Sequence, residues 1–231
     1  MEKVDSFIQH HPSLWTLAGD WEGTAFRRRM TVMKTTSGGL VLHSAIALPE
    51  EQLRELDQFG KVEAIVVPNY FHDSDAPWFS DRYPEAKVFA PTTVVKKVQA
   101  RCQKTQVLAL ESAWSEAPWA KEIHCIPIEG LRLVAEIFFV HAPSETLVIC
   151  DMAFNMKESA FKGAQKFFMR LNRIGRGFGP SRLATHVFTK DRERAKKSYQ
   201  EVLRFPFERV IVSHGEVIEQ GGHELFAAAF T

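Results

Sequence analysis

Cysteine is scarce in this sequence, and long apolar runs are absent. Cys102, Cys125 and Cys150 stand in apolar surroundings and are too few for a disulfide framework or a thiolate zinc site, so we expect buried thiols in a reducing compartment. No apolar run approaches the length of a bilayer span, and the N-terminal stretch MEKVDSFIQHHPSLW has no apolar signal core. We therefore expect a cytoplasmic protein without a membrane partner.

Charge of one sign is not in excess either. The chain has 29 Lys and Arg against 28 Asp and Glu, so no overall field draws it to nucleic acid, and we expect no nucleic-acid partner. With 231 residues and 45% hydrophobic residues it can bury a sizeable core, as one large domain or two small ones. A small molecule is the expected ligand.

The most informative stretch is a buried strand that ends in a polar loop. Val62–Val67 is rich in β-branched residues, and Pro68 ends it because proline has no N–H to donate. The loop that follows offers four side chains that can bind metal: Asn69, His72, Asp73 and Asp75. The alternative is a plain polar turn in which Asp73 or Asp75 caps the helix that follows.

Two more predicted strands end in ionisable side chains. Thr146–Ile149 leads to Asp151, and Arg209–Val212 leads to His214. Strand ends in a layered α/β fold can meet at one edge, so we expect His72, Asp151 and His214 to converge. Histidine and aspartate together suit Zn²⁺, Fe or Mn²⁺.

Two acid–base candidates lie in another predicted strand. Leu131–His141 is mostly apolar but contains Glu136. Glu136 and His141 are predicted to support the site around the metal or to act as an acid–base pair; the alternative for His141 is a structural histidine that forms hydrogen bonds at the strand end. Their spacing of five residues turns them to opposite faces of a regular strand, which disfavours contact with one substrate atom.

A basic, glycine-rich loop is predicted at Arg173–Arg182. Its glycines, together with Arg176 and Arg182, could cradle a phosphate. The alternative is a plain covering loop, and the spacing of a P-loop is absent.

Several short motifs in this order resemble the metallo-β-lactamase superfamily, and in particular a divergent branch of unknown function with an incomplete metal-ligand motif. The motifs are Pro68-Asn69-Tyr70-Phe71-His72, Ile128-Glu129-Gly130, Phe138-Phe139-Val140-His141, Ser144-Glu145-Thr146-Leu147 followed by Asp151, and Ser213-His214-Gly215. The resemblance spans nearly the whole chain. It implies one domain over residues 1–231, a four-layer αββα sandwich with the site along one edge.

The superfamily's loop motif, Thr-His-x-His-x-Asp-His, fits this sequence in two registers. If Pro68 takes the threonine position, Asp73 is kept and the histidine positions hold Asn69, Phe71 and Ser74. If Asn69 takes the threonine position, His72 is kept and Asp75 replaces the last histidine. A further ligand histidine would fall near 129–131, where the sequence has none.

The resemblance therefore implies at most one metal ion. Its ligands would be His72, Asp151 and His214 with Asp73 or Asp75, whereas two metals would need more donors. Asp73 matches the proton-transferring aspartate and acts with His72, while Asn69, Glu136 and His141 support the site or the substrate. The predicted function is hydrolysis of a small ester, thioester or phosphoester. The alternative is a non-catalytic ligand-binding or regulatory protein with a degenerate site and no metal.

Overall fold

The computed structural model describes residues 3–21 and 26–231. The chain divides into two compact units, Met1–Cys125 and Ile126–Thr231. Both units contain strands and helices, so the fold is of the mixed α/β class with two sheets. The single domain expected over residues 1–231 stays a prediction.

The first sheet has seven strands that neighbour one another in chain order. They are β1 (Ile8–His11), β2 (Leu14–Asp20), β3 (Arg27–Lys34), β4 (Gly39–His43), β5 (Lys61–Val66), β6 (Lys87–Ala90) and β7 (Val107–Ala109). The pairs from β1 to β4 are antiparallel and the pairs from β4 to β7 are parallel. The parallel part needs crossover connections, and helices provide them.

Three helices connect these parallel strands: α1 (Glu50–Phe59), α2 (Ala76–Arg82) and α3 (Val95–Arg101). Helix α1 follows Pro49 and is followed by Gly60, and it buries Leu53 and Leu56. The β5 strand is buried from Ala64 to Val66 because it lies between β4 and β6. A short helix, α4 (Leu110–Ala113), follows β7.

The second sheet has four strands in the order β11-β10-β9-β8. They are β8 (Ile123–Pro127), β9 (Ile137–His141), β10 (Thr146–Ile149) and β11 (Arg209–Val212). Strands β9 and β10 form an antiparallel hairpin, whereas β10 and β11 are parallel. The remaining helices are α5 (Gly163–Leu171), α6 (Arg192–Val202) and α7 (Gly222–Phe230).

The core of the second unit is built around an aromatic cluster. Phe138 is fully buried on β9, and its ring lies 6.2 Å from Phe226 of α7 and 6.3 Å from Tyr199 of α6. Phe226 stacks in turn on Phe230 at 4.6 Å. This cluster fixes α6 and α7 to the sheet that holds Asp151 and His214.

The long strand predicted over Leu131–His141 is wrong in its first half. The strand begins only at Ile137, and the preceding Leu133 and Ala135 have positive φ angles of 71° and 48°. Such angles are incompatible with extended backbone. Glu136 therefore lies just before β9. The alternation of side chains along a regular strand does not set its direction relative to His141.

The sequence did not predict the β1 strand or the turn of π-helix at Leu183–Phe188. The β1 strand is only half buried and contains two histidines, so it lacks an apolar alternation. Within residues 3–21 and 26–231, no helix has the length and apolar character that crossing a membrane requires.

Replacing Phe138 with alanine should lower the free energy of unfolding by about 3–5 kcal/mol, because a buried aromatic ring is lost and a cavity remains. Urea unfolding followed by circular dichroism measures the change. Phe167→Ala removes the same ring at an exposed position and should cost little. Equal losses in both variants would contradict the assignment of Phe138 to the core.

Candidate functional site

The parallel pairing of β10 with β11 brings Asp151 and His214 together in the second unit. Ile149 is paired with Val212, so the residues two positions further along both strands leave the sheet side by side. His214 Nε2 lies 3.1 Å from Asp151 Oδ1. His214 is buried, and the Asp151 side chain is largely so. Two of the predicted ligands are thus neighbours.

The Glu136 carboxylate holds the backbone that follows β10. Its oxygens accept hydrogen bonds from the N–H groups of Cys150 (2.9 Å), Asp151 (2.7 Å) and Met152 (3.0 Å). Burial and the charge of Asp151 raise the pKa of Glu136 to about 8, and the three N–H groups oppose that shift. Glu136 therefore supports Asp151 through the main chain.

The segment that follows β10 fixes the His214 ring. Phe154 stacks on the imidazole, with 5.7 Å between the ring centroids. Asn155 N–H donates to the His214 carbonyl, and Gly215 at φ +116° passes so close that a Cβ would lie 2.2 Å from the Asn155 carbonyl oxygen. Only glycine fits at this position.

Cys150 is a site residue that sequence reasoning missed. We expected a buried small residue without a role, and it is buried, but it directly precedes Asp151 and its Sγ accepts a hydrogen bond of 3.1 Å from the Ser213 hydroxyl. Ser213 in turn directly precedes His214. The signal in the sequence was that Cys150, a soft donor, directly precedes the predicted ligand Asp151.

His141 lies away from these residues. It is paired with Thr146 at the far end of the β9–β10 hairpin, whereas Asp151 follows the other end of β10. Its Nδ1 bonds to the Ser144 hydroxyl at 2.7 Å, and Ser144 bonds on to Thr146. This placement separates His141 from Glu136 and fits the structural alternative, a histidine that forms hydrogen bonds in the hairpin turn.

In the first unit, the loop after β5 is folded around Asn69 and His72. The Asn69 side-chain oxygen accepts hydrogen bonds from the N–H groups of Phe71 (2.9 Å) and His72 (3.1 Å). The buried His72 places Nδ1 at 2.7 Å from the Ser44 hydroxyl. Coordination of a metal by His72 would therefore use Nε2. Asn69 acts here by shaping the loop.

The two loop carboxylates are balanced by cations. Asp73 lies 3.0 Å from Lys97 Nζ and 3.0 Å from Arg101. Asp75 pairs with the buried Arg28, and the same oxygen accepts the Ala47 N–H at 2.9 Å. Asp75 precedes α2 but makes no side-chain cap to it. One oxygen of Asp75 is thus committed to Arg28, which weakens Asp75 as a metal ligand.

His43 is a buried histidine of the same unit, at the end of β4. Burial lowers its pKa to about 3 from an ordinary 6.5, and repulsion from His72 adds to the shift. His43 is therefore neutral in the folded protein.

The donor set of the second unit fits a divalent metal. Two ligands of a tetrahedral ion with bonds of about 2.0–2.2 Å stand roughly 3.3 Å apart. The 3.1 Å between His214 Nε2 and Asp151 Oδ1 is compatible with that spacing and also with a hydrogen bond. His72 belongs to the first unit, so its convergence with these two residues stays a prediction.

Comparison with protein families gives one match. Residues 23–166, more than half of the chain, match the family described as Domain of unknown function (DUF4336). No curated protein matches the sequence.

Solved structures of metallo-β-lactamases are similar in fold. The metallo-β-lactamase from Hirschia baltica aligns with a TM-score of 0.61 at 14% identity, over 97% of this chain and 96% of that one. The mono-zinc form of FIM-1 from Pseudomonas aeruginosa aligns with a TM-score of 0.61 at 11% identity, over 96% and 93%. The metal-soaked Flv1 flavodiiron core from Synechocystis gives 0.66 at 10% identity, over 98% and 60%. The predicted metallo-β-lactamase fold is confirmed, and identities this low show the fold alone.

Gly215→Ala should destabilise the protein more than Gly177→Ala. Both glycines have positive φ angles, but only at position 215 would the new methyl group meet backbone, whereas position 177 is open. We expect Gly215→Ala to cost at least about 1 kcal/mol more in the free energy of unfolding. Equal costs in urea unfolding would contradict the close approach to Asn155.

The neutral His43 should make folding sensitive to acid. The unfolded chain takes up a proton at His43 below pH 6.5, whereas the folded chain does so only near pH 3. The stability due to neutral His43 is thus present above pH 6.5 and is lost as the pH falls towards 3.

The test is the difference in the free energy of unfolding between the wild type and His43→Gln, followed across this pH range. As the pH falls, the free energy of unfolding of the wild type should decrease more than that of His43→Gln. The exposed His186→Gln serves as control and should run parallel to the wild type. A parallel curve for His43→Gln would contradict the lowered pKa.

Proposed function

This chain belongs to the family described as Domain of unknown function (DUF4336), and we propose that it is a hydrolase of metallo-β-lactamase fold that works with one divalent ion. The substrate class is a small ester, thioester or phosphoester. The observation that carries the proposal is the contact of Asp151 with His214 at the ends of two parallel strands. A pair of metal-capable side chains held by the sheet itself needs no loop rearrangement to bind an ion.

We assign the ion to His72, Asp151 and His214. Three protein ligands and one open position are the usual arrangement at a catalytic zinc. Cys150, next to Asp151, places a soft sulfur beside these three ligands, which favours Zn²⁺ or Fe over Mn²⁺. Asp75 is left out of the set because Arg28 and the Ala47 N–H take up its Oδ2 atom.

The chain's own residues orient the metal ligands and accept a proton. Ser44 holds Nδ1 of His72 and so fixes which ring nitrogen can bind, and Phe154 fixes the plane of His214. Asp73 is the proposed proton acceptor, and Lys97 and Arg101 balance its charge and hold its carboxylate in place. A bound divalent ion supplies Lewis-acid chemistry at this position.

A second function is favoured by the ion pairs of the loop. Asp73 and Asp75 each have cationic partners from the protein, so the first unit keeps its charges balanced without any metal. This arrangement suits a binding or regulatory protein that has kept the fold with a degenerate site. Such a protein would bind a small molecule without turnover.

Metal content is the first test. Protein purified without chelators should hold about one Zn, Mn or Fe ion per chain, and the metal should be lost in Asp151→Asn and in His214→Gln. His186→Gln removes an exposed histidine elsewhere and should keep the metal. Protein that takes up none of the three ions, or variants that all keep the metal, would contradict the metal site.

Turnover separates the two functions. Hydrolysis of nitrophenyl esters, thioesters or phosphoesters by the metal-loaded protein, lost in Asp151→Asn, supports the hydrolase. A ligand that raises the melting temperature without metal, combined with no turnover of any of the three substrate classes, would support the binding protein instead of the hydrolase.

A further inference from the structure

Helix α5 of the second unit presents an unusual amount of apolar surface to solvent. Phe167 is 72% exposed, Phe168 48% and Leu171 53%. The helix buries only Met169. Clustered exposed aromatic and aliphatic side chains on one short helix mark an interaction surface, because single exposed apolar residues are common but contiguous ones are not.

Cations surround this apolar surface. Residues 162–182 contain six Lys and Arg and no Asp or Glu: Lys162, Lys166, Arg170, Arg173, Arg176 and Arg182. The whole chain has 29 basic against 28 acidic residues, so the remainder is net acidic. The positive charge is thus concentrated in one segment, which we call the α5 basic segment (162–182).

Few carboxylates compensate this charge. Glu158 lies 3.4 Å from Lys166 and 3.5 Å from Arg170. Within residues 3–21 and 26–231, Arg173, Arg176 and Arg182 form no ion pair with a carboxylate. These three line a cleft of about 440 Å³ together with Phe167 and Leu171. Arginines without carboxylate partners beside exposed apolar side chains indicate a partner that is both anionic and apolar.

We propose that the α5 basic segment docks on the surface of a membrane that contains anionic phospholipid. A helix that exposes Phe and Leu and is flanked by Lys and Arg has the composition of segments that lie in the membrane interface. The rings would enter the acyl boundary while the arginines meet lipid phosphates. A protein partner would need acidic and apolar groups in matching positions, whereas an anionic bilayer offers both everywhere. The proposal does not depend on hydrolysis.

Vesicle flotation tests the docking. The full chain is mixed with vesicles of phosphatidylcholine alone or of equal parts phosphatidylcholine and phosphatidylglycerol. We expect flotation with the anionic vesicles only, weakened by salt, because exposed charges are screened over about 8–10 Å at physiological ionic strength.

Matched variants locate the contact. Arg173→Gln with Arg176→Gln should reduce vesicle partitioning about tenfold or more. Lys196→Gln with Lys197→Gln removes the same charge from exposed positions of α6 and should leave partitioning unchanged. Phe167→Ser should also weaken vesicle partitioning, whereas Ile8→Ser, at an exposed position of β1, should leave it unchanged. Circular dichroism checks that every variant is folded.

Four results would overturn the proposal. The first is no flotation with anionic vesicles at low salt. The second is an equal loss in the α5 and α6 double variants, which indicates general charge attraction. The third is a concentration-dependent dimer, abolished by Phe167→Ser, without vesicle binding; a second copy then covers the helix. The fourth is release from the vesicles by inorganic phosphate that binds the protein at the same arginines, which makes the cleft a site for a small anion.

Discussion

The parallel pairing of β10 with β11 is the constraint on which the candidate site depends. The two strands are distant in sequence, and their register brings Asp151 level with His214. Two further contacts keep this arrangement in place beyond the sheet. Glu136 collects the N–H groups of residues 150–152, and Gly215 allows the chain to approach Asn155. A larger residue in place of Gly215, or loss of the Glu136 carboxylate, would disturb the positions of Asp151 and His214.

The electrostatics of the two units follow one rule, which is that buried charge has a partner. In the first unit Asp73 and Asp75 are paired with Lys and Arg, and His43 is neutral because burial lowers its pKa. In the second unit Asp151 contacts His214, and the pKa of the buried Glu136 is raised. The exposed surface around α5 is different: within residues 3–21 and 26–231, Arg173, Arg176 and Arg182 have no carboxylate partner, and they lie close to the exposed Phe167.

Much of the fold could be predicted because its signals are local. Apolar runs ended by Pro68 or by a polar residue predicted β5 and the strands leading to Asp151 and His214 close to their observed bounds. The first half of 131–141 could not be predicted, because apolar residues there adopt positive φ angles that only tertiary contacts enforce. The roles of Cys150 and His141 also depend on which end of a strand pair each occupies. Neither composition nor periodicity encodes that.

The central proposal is that His72, Asp151 and His214 together bind one ion. Diffraction at the zinc edge from crystals grown with Zn²⁺ tests it most directly. The account predicts one anomalous peak about 2.0–2.2 Å from Nε2 of His72, a carboxylate oxygen of Asp151 and a ring nitrogen of His214. A peak elsewhere, no peak, or a His72 ring turned away from Asp151 would contradict it.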